Sequence, residues 1–541
     1  MKRVFAIVLA ACGLSACESP PQALDLEDPA PFDSAAFVAA AAERCRALAG
    51  TELGLATLQD ATRVERGEPL IGFFRRMFIK WFIWPDMPKL EVPADFCRVT
   101  AKLRPEPGSE ITAEVWLPEQ WNGKLLAVGG GGFNGGLESA VLTLHAPLER
   151  GYAGLATDAG HETTESAKFA HDSPQQFVDY GYRANHVAAG FAKNLIAVYY
   201  GAPVRRAYFH GCSNGGRDAL MEARRFPDDY EGIIAGAPAA GFSKLMTAFA
   251  WNQQAVLKAP NLSAKLALIQ EAVIRRCDAL DGVDDRLLEN PLDCPFDPAE
   301  LECEAGDAPD CLNADEVGAL RRIYGGPHLS DGTPIYPGMP VGGEALQNNW
   351  DPWIVGEQST AGAMAVEFFR WMVHGDAQWD LSRFDIDRDY PLAQERTAPT
   401  LDSDDPYLTA FAGRGGRLLL YHGWNDAAIP GGAAVDYYEN VRETLGPVTD
   451  DHVRLFMVPG MMHCAGGVGP TSFDALDALD RWVETGTAPD RLTATEYDPP
   501  RIFGLGSEGR VVRTRPLCPW PTAAHYDGAG STDEAASFSC K

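Results

Sequence analysis

Apolar and polar residues alternate from Ile111 to Trp116, a two-residue period that puts every second side chain on one face of a half-buried strand. Lys124–Val128 ("KLLAV") is instead a short apolar run leading into Gly129–Gly132. "GRLLLYHGWND" and "HVRLFMVPGMMHC" repeat that pattern, a buried strand opening into a loop. Residues 204–209 form a further short strand, and Arg217–Phe226 reads as a helix that Pro227 helps to stop. Residues 36–49 are Ala-rich and helical. Strands alternating with helices predict an α/β protein built on a mainly parallel sheet. Between about 243 and 404 the rhythm fails. Four cysteines, an acidic turn and many aromatics there predict an inserted lid domain, with the core formed by 36–242 and 405–541.

The 541 residues are 46% hydrophobic and 22% charged, which fits a globular chain with a large core. The formal net charge of −29 argues against nucleic acid as a partner, because phosphates need a basic surface.

The first residues, "MKRVFAIVLAACGLSAC", place Lys2 and Arg3 before a short apolar run and then small residues. This is the order of an export signal, too short to span a bilayer. Leu14-Ser15-Ala16-Cys17 resembles a bacterial lipobox, which predicts cleavage after residue 16 and a lipid on Cys17. Plain secretion with cleavage near the same place is the alternative. Residues 17–35, acidic and proline-rich, read as a tether. The expected location is therefore periplasmic or outer-membrane anchored. Of twelve cysteines, Cys12 leaves with the signal and Cys17 carries lipid, leaving ten, an even number that suggests five disulfides in an exported chain. Zinc fits less well, as no CxxC pair is present.

Leu70–Pro85 ("LIGFFRRMFIKWFIWP") gathers six aromatic rings around Arg75, Arg76 and Lys80. Three charges exclude a membrane span. A helix packed on the core is favoured over an interfacial helix that adds a second membrane contact.

The candidate chemistry starts at Gly211-Cys212-Ser213-Asn214-Gly215, which fits the G-x-S-x-G nucleophile elbow. A serine needs a base to take its proton and a carboxylate to orient the base, in the chain order Ser, acid, His. Asp426 and His463 follow the two buried strands in that order. His210 and His422 compete for the role of base, but neither follows the acid. The Asn214 backbone N–H, next to the nucleophile, is one expected oxyanion donor, and the Gly129–Gly132 loop offers the other. "GGGGFNGG" lacks the Lys-Ser/Thr of a phosphate-binding P-loop. Cys212 precedes the nucleophile and Cys464 follows the base, so a Ser213–His463 hydrogen bond would bring both thiols into disulfide range.

Serine with a preceding cysteine, aspartate, and histidine with a following cysteine resembles the arrangement of the tannase and feruloyl esterase family, to which mono(2-hydroxyethyl) terephthalate hydrolases are related. "GCSNGGRDAL", "RFPDDYEGIIAGAPA", "YHGWNDAAIP", "LFMVPGMMHC" and "TRPLCPWP" carry the resemblance, which extends from about Cys45 to Cys540. It implies an α/β-hydrolase core with a large lid. It also implies the pairs Cys45–Cys97, Cys212–Cys464, Cys277–Cys294, Cys303–Cys311 and Cys518–Cys540, and Gly132 as the second oxyanion donor. "CDALDGVDDRLLEN" resembles the family's calcium loop. The implied Ca2+ ligands are the carboxylates of Asp278, Asp281 and Asp285 and the carbonyls of Val283 and Leu287. A solvated acidic turn is the alternative reading.

The expectation is thus an exported, lipid-anchored serine esterase that acts on small aromatic esters of feruloyl or galloyl type through an acyl-enzyme, with structural calcium and no organic cofactor. A terephthalate monoester hydrolase is the alternative within the class, and a non-catalytic binding lipoprotein the alternative outside it. Phe368, Phe369, Trp371, Trp379 and Phe384 are candidate substrate-stacking rings, and Arg370 and Arg383 the nearest cations for a substrate carboxylate.

Overall fold

The computed structural model describes residues 34–70, 90–162, 165–501, 505 and 509–541. The expected signal, Cys17, nearly all of the tether, and residues 71–85 of the aromatic–basic segment lie outside the described residues. The first helix spans Ser34–Leu48, starting two residues before the expected helix.

Ten strands form one sheet: β1 (Glu52–Leu53), β2 (Ala56–Val64), β3 (Phe96–Leu103), β4 (Ile111–Pro118), β5 (Lys124–Val128), β6 (Ala153–Thr157), β7 (Arg206–Cys212), β8 (Gly232–Gly236), β9 (Arg417–Gly423) and β10 (Val453–Val458), in the order β1-β2-β3-β4-β6-β5-β7-β8-β9-β10. β1 to β4 and the β4–β6 pair are antiparallel. Every later neighbour is parallel. This is an α/β-hydrolase-type core.

Strand periodicity builds two apolar layers. Leu125, Ala127, Leu418 and Leu420 face one side, with Leu195 and Ile196 of the helix Ala184–Tyr200. Leu126, Val128, Leu419 and Tyr421 face the other, with Leu476, Leu479 and Trp482 of the helix Ala475–Thr485. The three-residue spacing of those last side chains makes one helical stripe. Asp474 starts that helix by accepting from Asp477 N, and Gly486, at φ 74°, ends it. Leu479 is fully buried, so Leu479→Ala should cost about 2–5 kcal/mol.

Between β8 and β9 the chain adds no strand to the sheet and folds mainly as helices, among them Phe242–Val256, Leu266–Cys277, Ala314–Gly325, Thr360–Glu367 and Ile386–Leu401. The neck of this insertion is stitched by hydrogen bonds. Ser243 donates from N and Oγ to Asp402 (2.9 and 2.5 Å), Ser403 N donates to Ala240 O (2.7 Å), and Lys244 pairs with Asp404 (2.6 Å). Sulfur bonds join Cys45–Cys97, Cys212–Cys464, Cys277–Cys294, Cys303–Cys311 and Cys518–Cys540.

Candidate active site

β7 runs through Cys212 directly into the helix Asn214–Arg225, and Ser213 makes the turn at φ 63°, ψ −124°. A non-glycine residue there costs on the order of 1–3 kcal/mol, which the surroundings must hold. Ser213 N donates to Gly236 O (3.0 Å), and Ser213 O accepts from Arg217 N and Ala239 N (both 3.1 Å). The glycines allow the crowding: a Cβ on Gly211 would lie 2.0 Å from Gly215 O, and one on Gly129 2.5 Å from Gly215 Cα.

The loops after β9 and β10 bring in Asp426 and His463. His463 Nε2 lies 2.9 Å from Ser213 Oγ, and His463 Nδ1 lies 2.8 Å from Asp426 Oδ2. Asp426 Oδ1 accepts from the N–H groups of Ala428 and Ile429 (2.8 and 2.9 Å). Burial alone would raise the pKa of Asp426. The His463 charge and hydrogen bonds from His422 and His463 outweigh it and hold the carboxyl well below the usual range. His422 is wholly buried, with Nε2 2.9 Å from Ile429 O and 3.4 Å from Asp426 Oδ2, so it flanks the acid. His210 lies in β7 with its ring edge-on to Tyr421. The Cys212–Cys464 bond ties the residue before Ser213 to the residue after His463, with Cα atoms 5.8 Å apart.

Gly132 has φ +57°, and its carbonyl accepts from Tyr180 Oη (2.7 Å). The same hydroxyl lies 3.0 Å from Asn214 Oδ1, so one side chain joins the glycine loop to the nucleophile helix. Tyr180 and Arg217 escaped sequence reading, because their partners lie on segments far away in the chain.

The insertion places Trp353 edge-on to His463, with ring centres 5.4 Å apart. The aromatic stretch 365–384 lies elsewhere. Phe368, Phe369 and Trp379 are wholly buried, Phe384 is nearly so, and they pack on one another in an apolar cluster that the insertion shares with Phe133, Phe169 and Tyr180 of the core. Trp371 is partly buried against the same cluster. Arg370 pairs with Glu367 (3.1 Å) and Arg383 with Asp376 (2.7 Å). The signal that picks out Trp353 over these rings is tertiary: buried Asn349 donates to Gly343 O (2.7 Å) and to Asn425 O (2.9 Å), docking this part of the insertion beside Asp426.

The 278–289 loop is acidic and half-enclosed. Asp281, Asp285, Glu289, Val283, Leu287 and Arg515 line a cavity of about 10 Å3, room for one water-sized occupant. Asp278 Oδ1 is buried without a partner. Burial and neighbouring carboxylates push Asp278 and Asp281 up to about 6 and Glu289 to about 7. Arg513 (2.9 Å) and Arg515 both pair with Asp285, and Arg513 also pairs with Glu496 (2.9 Å). Four carboxylates against two arginines leave an excess of negative charge, and oxygen donors suit a hard divalent cation. Among the described residues, three ligating side chains converge within 4.8 Å of one another at His186, Glu222 and Asp229 and not in this loop. At the former, His186 Nδ1 lies 2.6 Å from Asp229 Oδ2, and Lys193 Nζ donates to Asp229 O.

Serine, acid and histidine carried at the carboxyl ends of parallel strands, on this sheet order, define a hydrolase of the α/β class. Known proteins narrow the class. The tannase and feruloyl esterase profile matches residues 97–541, and the chain belongs to that family of carboxylic ester hydrolases. It is 34% identical to an uncharacterized esterase of Xanthomonas campestris over 551 residues, covering 93% of this chain and 92% of that one. It is also 34% identical to the mono(2-hydroxyethyl) terephthalate hydrolase of Piscinibacter sakaiensis over 498 residues, covering 80% and 81%. The crystal structure of feruloyl esterase B from Aspergillus oryzae superposes with a TM-score of 0.82 at 25% identity, over 92% of this chain and 100% of that one.

Proposed function

We propose that this ester hydrolase is an exported serine esterase that cleaves esters of aromatic acids through an acyl-enzyme on Ser213. The observation that carries the reading is the hydrogen-bonded chain Ser213 Oγ–His463 Nε2 (2.9 Å) and His463 Nδ1–Asp426 Oδ2 (2.8 Å). His463 takes the Ser213 proton as Oγ attacks the ester carbonyl, and Asp426 holds the ring and stabilises the imidazolium. The N–H groups of Asn214 and Gly132 receive the oxyanion. His463 then protonates the leaving alcohol, and in the second half it activates water to release the acid.

Trp353 beside His463 supports an aromatic acyl group, because an edge-to-face or offset ring pair adds about 0.5–1.5 kcal/mol beyond buried area. The substrate is a neutral hydroxycinnamate or hydroxybenzoate alkyl ester. Arg370 and Arg383 are paired within the insertion, and the net charge of −29 repels an anion. The 34% identity to a terephthalate monoester hydrolase supports the second reading. Hydrolysis of methyl ferulate, methyl gallate and terephthalate monoester by the purified enzyme separates them. Higher kcat/KM on the neutral esters is expected, and a clear preference for the monoester overturns the assignment.

Residues 243–404 act as the lid. Asp278, Asp281 and Asp285, with the carbonyls of Val283 and Leu287, hold calcium, which neutralises charge and takes no part in the reaction. Five disulfides and the sequence of residues 1–17 support export and a lipid on Cys17, near the membrane. No helix among the described residues is long and apolar enough to cross a membrane.

A further inference from the structure

The serine mechanism needs two oxyanion donors held at a fixed separation, yet they come from loops about 80 residues apart in sequence. A glycine-rich loop is the least self-supporting backbone available, since each glycine is free to leave its native conformation. Something outside the loop must therefore hold it.

The structure supplies a buried polar group at this junction. Arg217, wholly buried one turn into the nucleophile helix, directs its guanidinium at three segments: its own helix, the Tyr180–Gly181 turn and Leu401. Nε donates to Asn214 Oδ1 (2.7 Å), Nη1 to Gly181 O (2.8 Å) and Leu401 O (3.4 Å), and Nη2 to Tyr180 O (2.9 Å) and Asp218 Oδ1 (2.7 Å). All five guanidinium hydrogens have acceptors. Asp218 then reaches the glycine loop, accepting from Gly130 N (3.2 Å). Tyr180 reaches the same loop from the other side, donating toward Gly132 O (2.7 Å), with Asn214 Oδ1 at 3.0 Å. Tyr180 sits in the π-type turn Asp179–Arg183, where Asp179 is fixed by Ser109 Oγ (2.7 Å) and Arg183 Nε (2.5 Å). Its ring packs on Phe169 and Phe242, and the guanidinium lies 4.9 Å from its centre.

Thus the carbonyl of Gly132, one of the proposed donors, and the side chain of Asn214, the other, share one hydroxyl. We propose that Tyr180, with the Arg217–Asp218 pair, is a positioning residue for the oxyanion hole: it sets the spacing of the Gly132 and Asn214 N–H groups and touches no substrate. Leu401 O, at the end of the insertion, makes Arg217 a point through which the insertion bears on that spacing. This rests on the serine mechanism proposed above.

Tyr180→Phe removes the hydroxyl and keeps the packed ring. Arg217→Ala leaves Asp218 buried and unpaired and is a poor probe, since it would threaten folding. Tyr200→Phe is the structural control: its buried hydroxyl likewise donates to a main-chain carbonyl, Pro118 O (2.7 Å), at the far end of the helix Ala184–Tyr200. Losing an oxyanion donor outright costs about 10²–10³ in kcat, and misplacing one costs less. Tyr180→Phe should lower kcat about 10- to 100-fold on a p-nitrophenyl ester with KM within about two-fold. It should weaken an aryl trifluoromethyl ketone, which places its oxyanion in the hole, by the same factor as kcat/KM. Tyr200→Phe should lower the melting temperature and leave kcat and inhibitor affinity unchanged. Wild-type kcat in Tyr180→Phe, or equal losses in both variants, overturns the proposal. Ser213→Ala in the same assay tests the mechanism beneath it. If Ser213→Ala is dead while Tyr180→Phe is fully active, only the positioning role falls.

Discussion

Asp426 sits between two histidines and two backbone N–H groups, and its carboxylate keeps its charge far into acid. The usual stability sign follows for a carboxyl with a depressed pKa: the contribution is present above about pH 4, the unfolded value, and is lost only as pH falls further. Protonation of Asp426 should therefore not limit activity above about pH 4. Between about pH 4 and 6 Asp426 should add no proton uptake of its own to the plot of log kcat/KM against pH, and a slope of two there would contradict this assignment. Asp426→Asn should lower kcat about 10³–10⁴-fold with unchanged circular dichroism. Trp353→Ala should lower kcat/KM for a benzoyl ester about 3- to 10-fold relative to an acetyl ester, the range of one aromatic contact. Equal losses on both esters would remove Trp353 from acyl recognition. At this scale, Ser213, Asp426 and His463 were legible because each follows a strand in a fixed order. Tyr180 and Trp353 were not, because tertiary neighbours alone set them apart from other buried or lid aromatics.

Among the elements, the strands of the core were readable and their ends were not. The strand expected at 204–209 runs over Arg206–Cys212, since pairing with β8 continues to Gly236. The helix expected from Arg217 begins at Asn214. Asn214, Gly215 and Gly216 have poor intrinsic helix propensity, and close packing against Gly130 O and Gly236 O overrides it. Besides the Ser213–His463 hydrogen bond, the elbow and the histidine loop are joined covalently at Cys212–Cys464, 252 residues apart in sequence. For such a loop the chain-entropy model gives about 5 kcal/mol. Cys212→Ala/Cys464→Ala should melt lower and lose more kcat than KM, because drift between nucleophile and base affects the chemical step. Unchanged kcat in a destabilised double variant would leave the bond a purely structural role.

Across the whole molecule, the insertion meets the core at its neck, at Asn425 and at the acidic loop, where Asp285 pairs with Arg513 and Arg515 and Glu289 accepts from Ala524 N (2.8 Å). Excess carboxylate at that seam is the physical reason to place a cation there. Chelation should lower the melting temperature, with the loss restored by calcium, and Asp281→Ala should abolish the response. A wild-type melting temperature indifferent to chelator and calcium would refute the site. The break in strand rhythm disclosed the insertion, but periodicity could not say which of its aromatics faces the serine. The rings of 365–384 are buried in an apolar cluster between insertion and core, and Trp353 reaches His463. Every step of the proposed mechanism depends on Ser213 as the nucleophile. Rapid quench of the enzyme with a p-nitrophenyl benzoate, followed by peptide mass spectrometry, measures this directly. One benzoyl group on the peptide containing Ser213, absent from Ser213→Ala, is the expected result. Steady turnover by Ser213→Ala, or acylation of another residue at the catalytic rate, would contradict it.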